Sequence, residues 1–139
     1  PMPEPRYLLD TNILSALIRE PQGRVANLLG QRGYDRVCTS LIVATELRFG
    51  SLKRGSSVLT GKVNDLLASI PILPVEAGVD EVYARIRLAL EQAGTPIGPN
   101  DLLIAAQALD QELILITDNV NEFRRVPDLQ VENWLDVQH

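Results

Sequence analysis

The sequence predicts an α/β fold, a mostly parallel central sheet with helices on both faces. Three observations carry this. Short apolar runs alternate along the chain with segments whose apolar residues return at helical spacing. Leu113-Ile114-Leu115-Ile116-Thr117 is an uninterrupted apolar run, as suits a strand buried on both faces. Glycine and proline punctuate the boundaries between these stretches.

Taken in order, Arg6 to Leu9 reads as a strand with Asp10 at its carboxyl end, and Ile13, Leu14, Leu17 and Ile18 then recur as one face of a helix. Pro21 and Gly23 interrupt, and Val25, Leu28 and Leu29 mark a second helix ending at Gly30 or Gly33. Arg36 to Thr39 is the second strand. Ser40 is placed to cap a helix with apolar positions Leu41, Ile42, Val43, Leu47 and Phe49, and Glu46 lies inside it. Leu59, Val63, Leu66, Leu67 and Ile70 form a further face closed by Pro71, and Ile72 to Val75 is the third strand. A longer helix spans Val79 to Gln92 with Gly94 as its stop. Gly98-Pro99 opens the next helix, which runs to about Asp110, because proline suits the first helical position. The run Leu113 to Thr117 follows, and Val126 to Val131 supplies a short edge strand, where proline is tolerated.

At 139 residues and 45% hydrophobic content, the chain is expected to fold as a single domain over residues 2–139. Pro1, ahead of Met2, reads as a residue carried over from expression and is set aside. No charged-then-apolar leader precedes the first strand, and no apolar run approaches the roughly 18 to 20 residues of a spanning helix. The expectation is a soluble cytoplasmic protein.

Several chemistries are excluded. The single cysteine, Cys38, rules out an internal disulfide and a multi-cysteine zinc site, and its apolar setting reads as core. The only histidine is His139, at the end of the chain, which argues against histidine acid/base catalysis, a Ser-His-Asp triad and the paired-histidine style of metal-free ribonuclease. A net charge of -5 argues against a broad basic face for nucleic acid, although an acid cluster that binds cations makes bulk charge a poor guide to local potential. Arg48, Lys53 and Arg54, then Arg85 and Arg87, then Arg124 and Arg125 form basic groups that also fit an ordinary solvated surface.

What remains is a set of carboxylates. Asp10 follows the first strand, Glu46 lies among apolar helical residues, and Asp101 sits in the first turn of the helix opened by Pro99. Each has a structural alternative: a helix cap for Asp10, a favourable helix dipole for Asp101, pairing with Arg48 or Arg54 for Glu46. Together they say more. Two carboxylates within about 5 Å repel by roughly 3 kcal/mol at an effective dielectric near 20, which no structural role favours. A hard divalent cation does favour it, and it supplies the activated water that the missing histidine cannot. In a parallel sheet such a ligand sits at the carboxyl ends of the strands, where strand order reverses.

Leu8-Leu9-Asp10-Thr11-Asn12, Thr45-Glu46-Leu47-Arg48-Phe49-Gly50, the stretch Gly94 to Ala106 around Asn100-Asp101, and the ending Ile116-Thr117-Asp118-Asn119 through Glu122-Phe123, Val126-Pro127 and Trp134 together resemble the PIN-domain ribonucleases. The nearest likeness is to the VapC-type toxins of bacterial toxin-antitoxin pairs, from about Arg6 to Leu135. The resemblance implies a PIN-like three-layer sandwich, a Mg²⁺-dependent endoribonuclease that Mn²⁺ can also serve, a homodimer, and a cognate VapB-type antitoxin that blocks the acidic cleft. It implies Asp10 and Asp101 as principal metal ligands, Glu46 as the third acid, and Asn12 as a polar neighbour. The fourth acidic or amide position falls on Asn119, with Asp118 immediately before it, and the residues leave open which of the two faces the metal. Arg48 is the candidate for holding a flanking phosphate, with an ordinary surface charge as its alternative. Trp134 reads as a packing residue, with stacking on a base as the alternative.

The chemistry this supports is hydrolysis of an RNA phosphodiester by an activated water, without a covalent intermediate. Two rivals stand beside it. A phosphate-ester hydrolase of another α/β family also ends its first strand in an aspartate, but its second aspartate position is Asn12 here. A non-catalytic module would use the acidic cleft to capture an arginine-rich partner.

Overall fold

The structure is a computed structural model, and it describes residues 5–135; Pro1, Met2 and His139 lie outside them. Five strands form one sheet: β1 (Tyr7–Leu9), β2 (Val37–Ser40), β3 (Ile72–Leu73), β4 (Ile114–Ile116) and β5 (Val131–Glu132). Every neighbouring pair is parallel and the order is β3-β2-β1-β4-β5. In the centre, Leu8 pairs with Cys38 on one side and Leu115 on the other. All three are fully buried, and burial pushes the Cys38 thiol up to about 12.

The helices are α1 (Thr11–Arg19), α2 (Arg24–Arg32), α3 (Leu41–Arg54), α4 (Ser57–Ser69), α5 (Val79–Gln92), α6 (Pro99–Asp110) and α7 (Val120–Phe123). From β1 to β2 to β3 the chain steps one way across the sheet, and from β3 to β4 to β5 it steps back past its start. Right-handed crossovers then put α1 to α4 on one face and α5 to α7 on the other. Contacts agree: α1 packs against α2, α3 and α4, while α5 packs along α6. Strand order reverses between β1 and β4, so the crevice of such a sheet opens beyond Leu9 and Ile116.

Local chemistry explains the helix limits. Ser40 Oγ accepts from the Ile42 N–H at 3.0 Å and starts α3, and Ser56 Oγ accepts from the Leu59 N–H at 3.2 Å and starts α4. The same Ser40 hydroxyl donates to Oε1 of Gln107 on α6 at 2.6 Å, and Gln107 Nε2 donates to the Leu73 and Pro74 carbonyls, so one buried amide links α3, α6 and the end of β3. Gly94, at φ 74, ends α5. Trp134 is buried in the core, tilted against Tyr7 with ring centroids 5.3 Å apart, and is closed off from base stacking.

Three expectations are corrected. The third strand stops at Leu73 instead of Val75, because the Leu73 and Pro74 carbonyls turn to Gln107. The edge strand is Val131–Glu132 instead of Val126 to Val131, since Asp128 takes a left-handed φ of 67 and breaks extension. On α3 the buried residues are Val43, Ala44, Leu47 and Ser51, which turns Leu41 and Phe49 outward. Among the described residues no helix is long and apolar enough to cross a membrane.

Candidate active site

Asp10 follows β1 directly, and its backbone N–H extends the ladder by donating to the Ile116 carbonyl at 2.9 Å. The side chain is 5% exposed. Thr117, the residue after β4, donates its hydroxyl to Asp10 Oδ2 at 2.7 Å, while the Thr11 N–H donates to Oδ1 at 2.8 Å. A helix-capping oxygen takes an N–H from the second or third helical residue. Asp10 is the N-cap of α1 and takes the N–H of the first helical residue, while its other oxygen is held by Thr117, a bond that capping does not require. Thr117 Oγ1 also accepts from Asn12 Nδ2 at 3.5 Å and from the Asn119 N–H at 3.1 Å, and Asn12 Oδ1 accepts from the Asp118 N–H at 3.0 Å. The first and fourth strand ends are thereby tied through one buried hydroxyl.

Glu46 projects from α3 toward the same crevice. Its Oε1 accepts from the Thr11 hydroxyl at 3.2 Å and its Oε2 from Asn100 Nδ2 at 3.3 Å. The alternative of pairing with Arg48 or Arg54 fails: the ion pairs among the described residues are Arg32–Glu132 and Arg87–Glu91. Arg48 instead donates to Asn64 Oδ1 on α4 at 2.7 Å.

Asp101 stands in the first turn of α6, and α7 folds back onto it. Glu122 Oε1 accepts from the Gly98 N–H at 3.2 Å, and Oε2 accepts from Asn119 Nδ2 at 2.5 Å. The Asp101 carboxyl is pushed up to about 7, first by burial, then by the charges of Glu122 and Asp10, a hydrogen bond to Glu122 and the charge of Glu46. For Glu122, burial pushes up, but hydrogen bonds from Asn119, the Gly98 N–H and Asp101 outweigh it and hold the carboxyl below its usual range. The two neighbouring carboxyls are thus pushed in opposite directions, Asp101 up and Glu122 down. Asp10 is raised as well, chiefly by burial, against the opposing hydrogen bonds from Thr117 and Thr11.

The structure thus brings Asp10, Glu46 and Asp101 to one crevice, with Asn12 and Asn119 on its rim. The Asp118 carboxylate turns aside to accept from Asn133 Nδ2 at 3.2 Å. Sequence reasoning missed Glu122, Thr117 and Asn100. The available signal for Glu122 was an acid three residues beyond Asn119, one helical turn along α7. Asp10, Glu46 and Glu122 each have a polar partner, and among the described residues no group of three acids, histidines or cysteines stands close enough together to hold a metal ion. The donors themselves, carboxylate oxygens throughout, are those a hard cation takes, and Asp101 holding a proton near neutrality marks a shortage of positive charge.

Fold and crevice define an α/β domain with a carboxylate cluster at the switch point of an all-parallel sheet. The chain belongs to the PIN-domain family, whose model matches residues 7–129. It is 36% identical over 130 residues to ribonuclease VapC2 of Rickettsia felis, covering 92% of this chain and 97% of that one. It is 31% identical over 134 residues to the tRNA(fMet)-specific endonuclease VapC of Shigella flexneri, covering 93% and 98%. The crystal structure of VapBC2 from Rickettsia felis bound to a DNA fragment from their promoter matches with a TM-score of 0.85 at 34% identity, over 92% of this chain and 98% of that one.

Proposed function

We propose that this protein is a divalent-metal-dependent endoribonuclease, the toxin of a toxin-antitoxin pair, neutralised by a VapB-type antitoxin. The observation that carries the reading is Asp101: burial and the charges of acids from three other segments of the chain lift its carboxyl to about 7. Burial is the largest part of that shift, and the acids add to it because they line the crevice that Glu46 joins through Thr11, next to Asp10, and through Asn100, next to Asp101. The names of the Rickettsia and Shigella relatives, a ribonuclease and a tRNA endonuclease, support RNA as the substrate, and the VapBC2 neighbour supports an antitoxin partner. The antitoxin suits the crevice if it brings arginine or lysine to the same carboxylates through charge-assisted hydrogen bonds. The homodimer follows from the family likeness, and exposed Phe49 and Leu52 on α3 offer apolar surface for a protein partner.

Asp10, Asp101 and Glu46 would hold a Mg²⁺ or Mn²⁺ ion, with Glu122 completing the set as the acid beside Asp101. When bound, such an ion activates water at neutral pH and offsets charge on a phosphoryl oxygen. The chain's own part is to fix the donors. Thr117 and the Thr11 N–H lock Asp10, Asn100 and Thr11 lock Glu46, and the Gly98 N–H and Asn119 lock Glu122. Asn119 acts on this reading as a positioning residue for Glu122, Asp118 faces Asn133, and Asn12 orients Thr117 at the rim where RNA enters. Arg48, held by Asn64, borders the crevice as a phosphate contact of lesser weight.

The test is cleavage of RNA by the purified chain with Mg²⁺ or Mn²⁺. Asp101→Asn is expected to lose on the order of 100-fold or more in rate and Glu122→Gln about tenfold or more. Asp118→Asn should stay close to the parent. Loss in Asp118→Asn with Glu122→Gln unaffected would reverse the assignment of the fourth acid, and metal-independent cutting would reject the reading.

A further inference from the structure

An RNA strand is a polyanion, and an acid-lined crevice repels every phosphate except the one being cut. The flanking phosphates need cations close to the crevice but outside it. The structure places such cations together. A groove of about 540 Å³ runs between α1, α3 and α4, and its head is formed by Thr11 and Glu46, the pair hydrogen-bonded in the candidate active site. Along it stand Arg19 at the end of α1, Arg54 at the end of α3, and Lys62 within α4, all exposed.

None of these three cations forms an ion pair among the described residues, whereas Arg32 and Arg87 are neutralised by Glu132 and Glu91. The helix dipole accounts for a cation at the end of α1 and another at the end of α3. It does not account for Lys62 in the body of α4, nor for three unneutralised cations meeting in one groove that opens from Glu46. The floor is aliphatic, with Leu47, Leu59 and Val63, and no lining residue is aromatic. Stacked bases want aromatic platforms, so this surface suits a sugar-phosphate backbone.

We propose that the groove is the track that carries the RNA strand away from the cut, with Arg19, Arg54 and Lys62 holding successive backbone phosphates. This rests on the endoribonuclease reading. It gives the chain a sequence-tolerant grip on one side of the scissile bond and leaves target choice to other contacts.

The test uses the full chain with Mg²⁺ and a fluorescent single-stranded oligoribonucleotide, comparing Arg19→Gln, Arg54→Gln, Lys62→Gln and their triple combination with Arg85→Gln on α5. Binding is read by anisotropy and cutting by gel, each across a salt series. In the groove variants KM is expected to rise far more than kcat falls, and the log-log salt slope of binding should shrink by about 0.7 per cation removed. Arg85→Gln should match the parent, and Lys62→Arg should retain tight binding. A triple variant that melts with the parent and keeps its KM and salt slope overturns the proposal. If that variant has lost only its affinity for the antitoxin, the groove is the antitoxin's seat and the RNA track is refuted. A parent that binds the oligonucleotide in this salt-dependent way but never cuts it refutes the enzyme reading alone, since the anisotropy series still decides the groove.

Discussion

Asp101 is the residue on which the charge balance of the crevice turns. Its carboxyl lies at about 7 against an ordinary 3.8, so between about pH 4 and 7 the folded chain binds a proton that the unfolded chain has released. Stability without divalent metal must therefore fall as pH rises through that window. Asp10 shifts in the same direction and Glu122 in the other, so Asp101→Asn should flatten the profile without erasing it. Urea unfolding in chelator at pH 4.5 and 7.5 reads this directly. The variant is expected to be no less stable than the parent at pH 7.5, and a large loss there would return Asp101 to a helix-dipole role. Asp10, Glu46 and Asp101 were legible in the sequence because each sits beside a local signal: a strand end, an apolar helical setting, a proline-started helix. Glu122 was not, because its spacing from Asn119 is a weak local signal and the contact that seats it, the Gly98 N–H, lies 24 residues away.

Among the elements, α5 and α6 were readable to the residue. Gly94 supplies a left-handed stop and Pro99 a preorganised start, and both act locally. The orientation of α3 was not readable, since its apolar residues spread around the helix and packing against its neighbours decides that Val43, Ala44 and Leu47 face inward. β3 was overextended for a similar reason: its end is set by Gln107, more than thirty residues away in sequence. Ser40 ties these facts together, because its hydroxyl both caps α3 and donates to the buried Gln107 Oε1. Ser40→Ala removes the cap, worth about 1 kcal/mol, and strands a buried acceptor, costing about 1–3 kcal/mol more. Urea denaturation should show a loss of about 2–4 kcal/mol. A loss below about 0.5 kcal/mol would mean that water or a rearranged amide satisfies Gln107.

At the scale of the whole molecule, the alternation of strands and helices revealed an α/β sheet, while the order β3-β2-β1-β4-β5 comes from β1 pairing on both sides. That order matters for function. It sets Asp10 and Thr117 on adjacent strand ends at the reversal, and α3, α6 and α7 then bring Glu46, Asp101 and Glu122 to the same crevice. The net charge of -5 conceals this division, with acids gathered at the crevice and Arg19, Arg54 and Lys62 along the groove leading from it. On the function proposed above, this acid-lined crevice cuts RNA with a water molecule and a divalent cation, without a histidine base. The most direct measurement is mass spectrometry of the ends left on an oligoribonucleotide by the purified chain, with Mg²⁺ and with chelator. Metal-dependent cutting that leaves a 5′-phosphate and a 3′-hydroxyl is the expected result; 2′,3′-cyclic phosphate ends, or cutting undiminished by chelator, would contradict it.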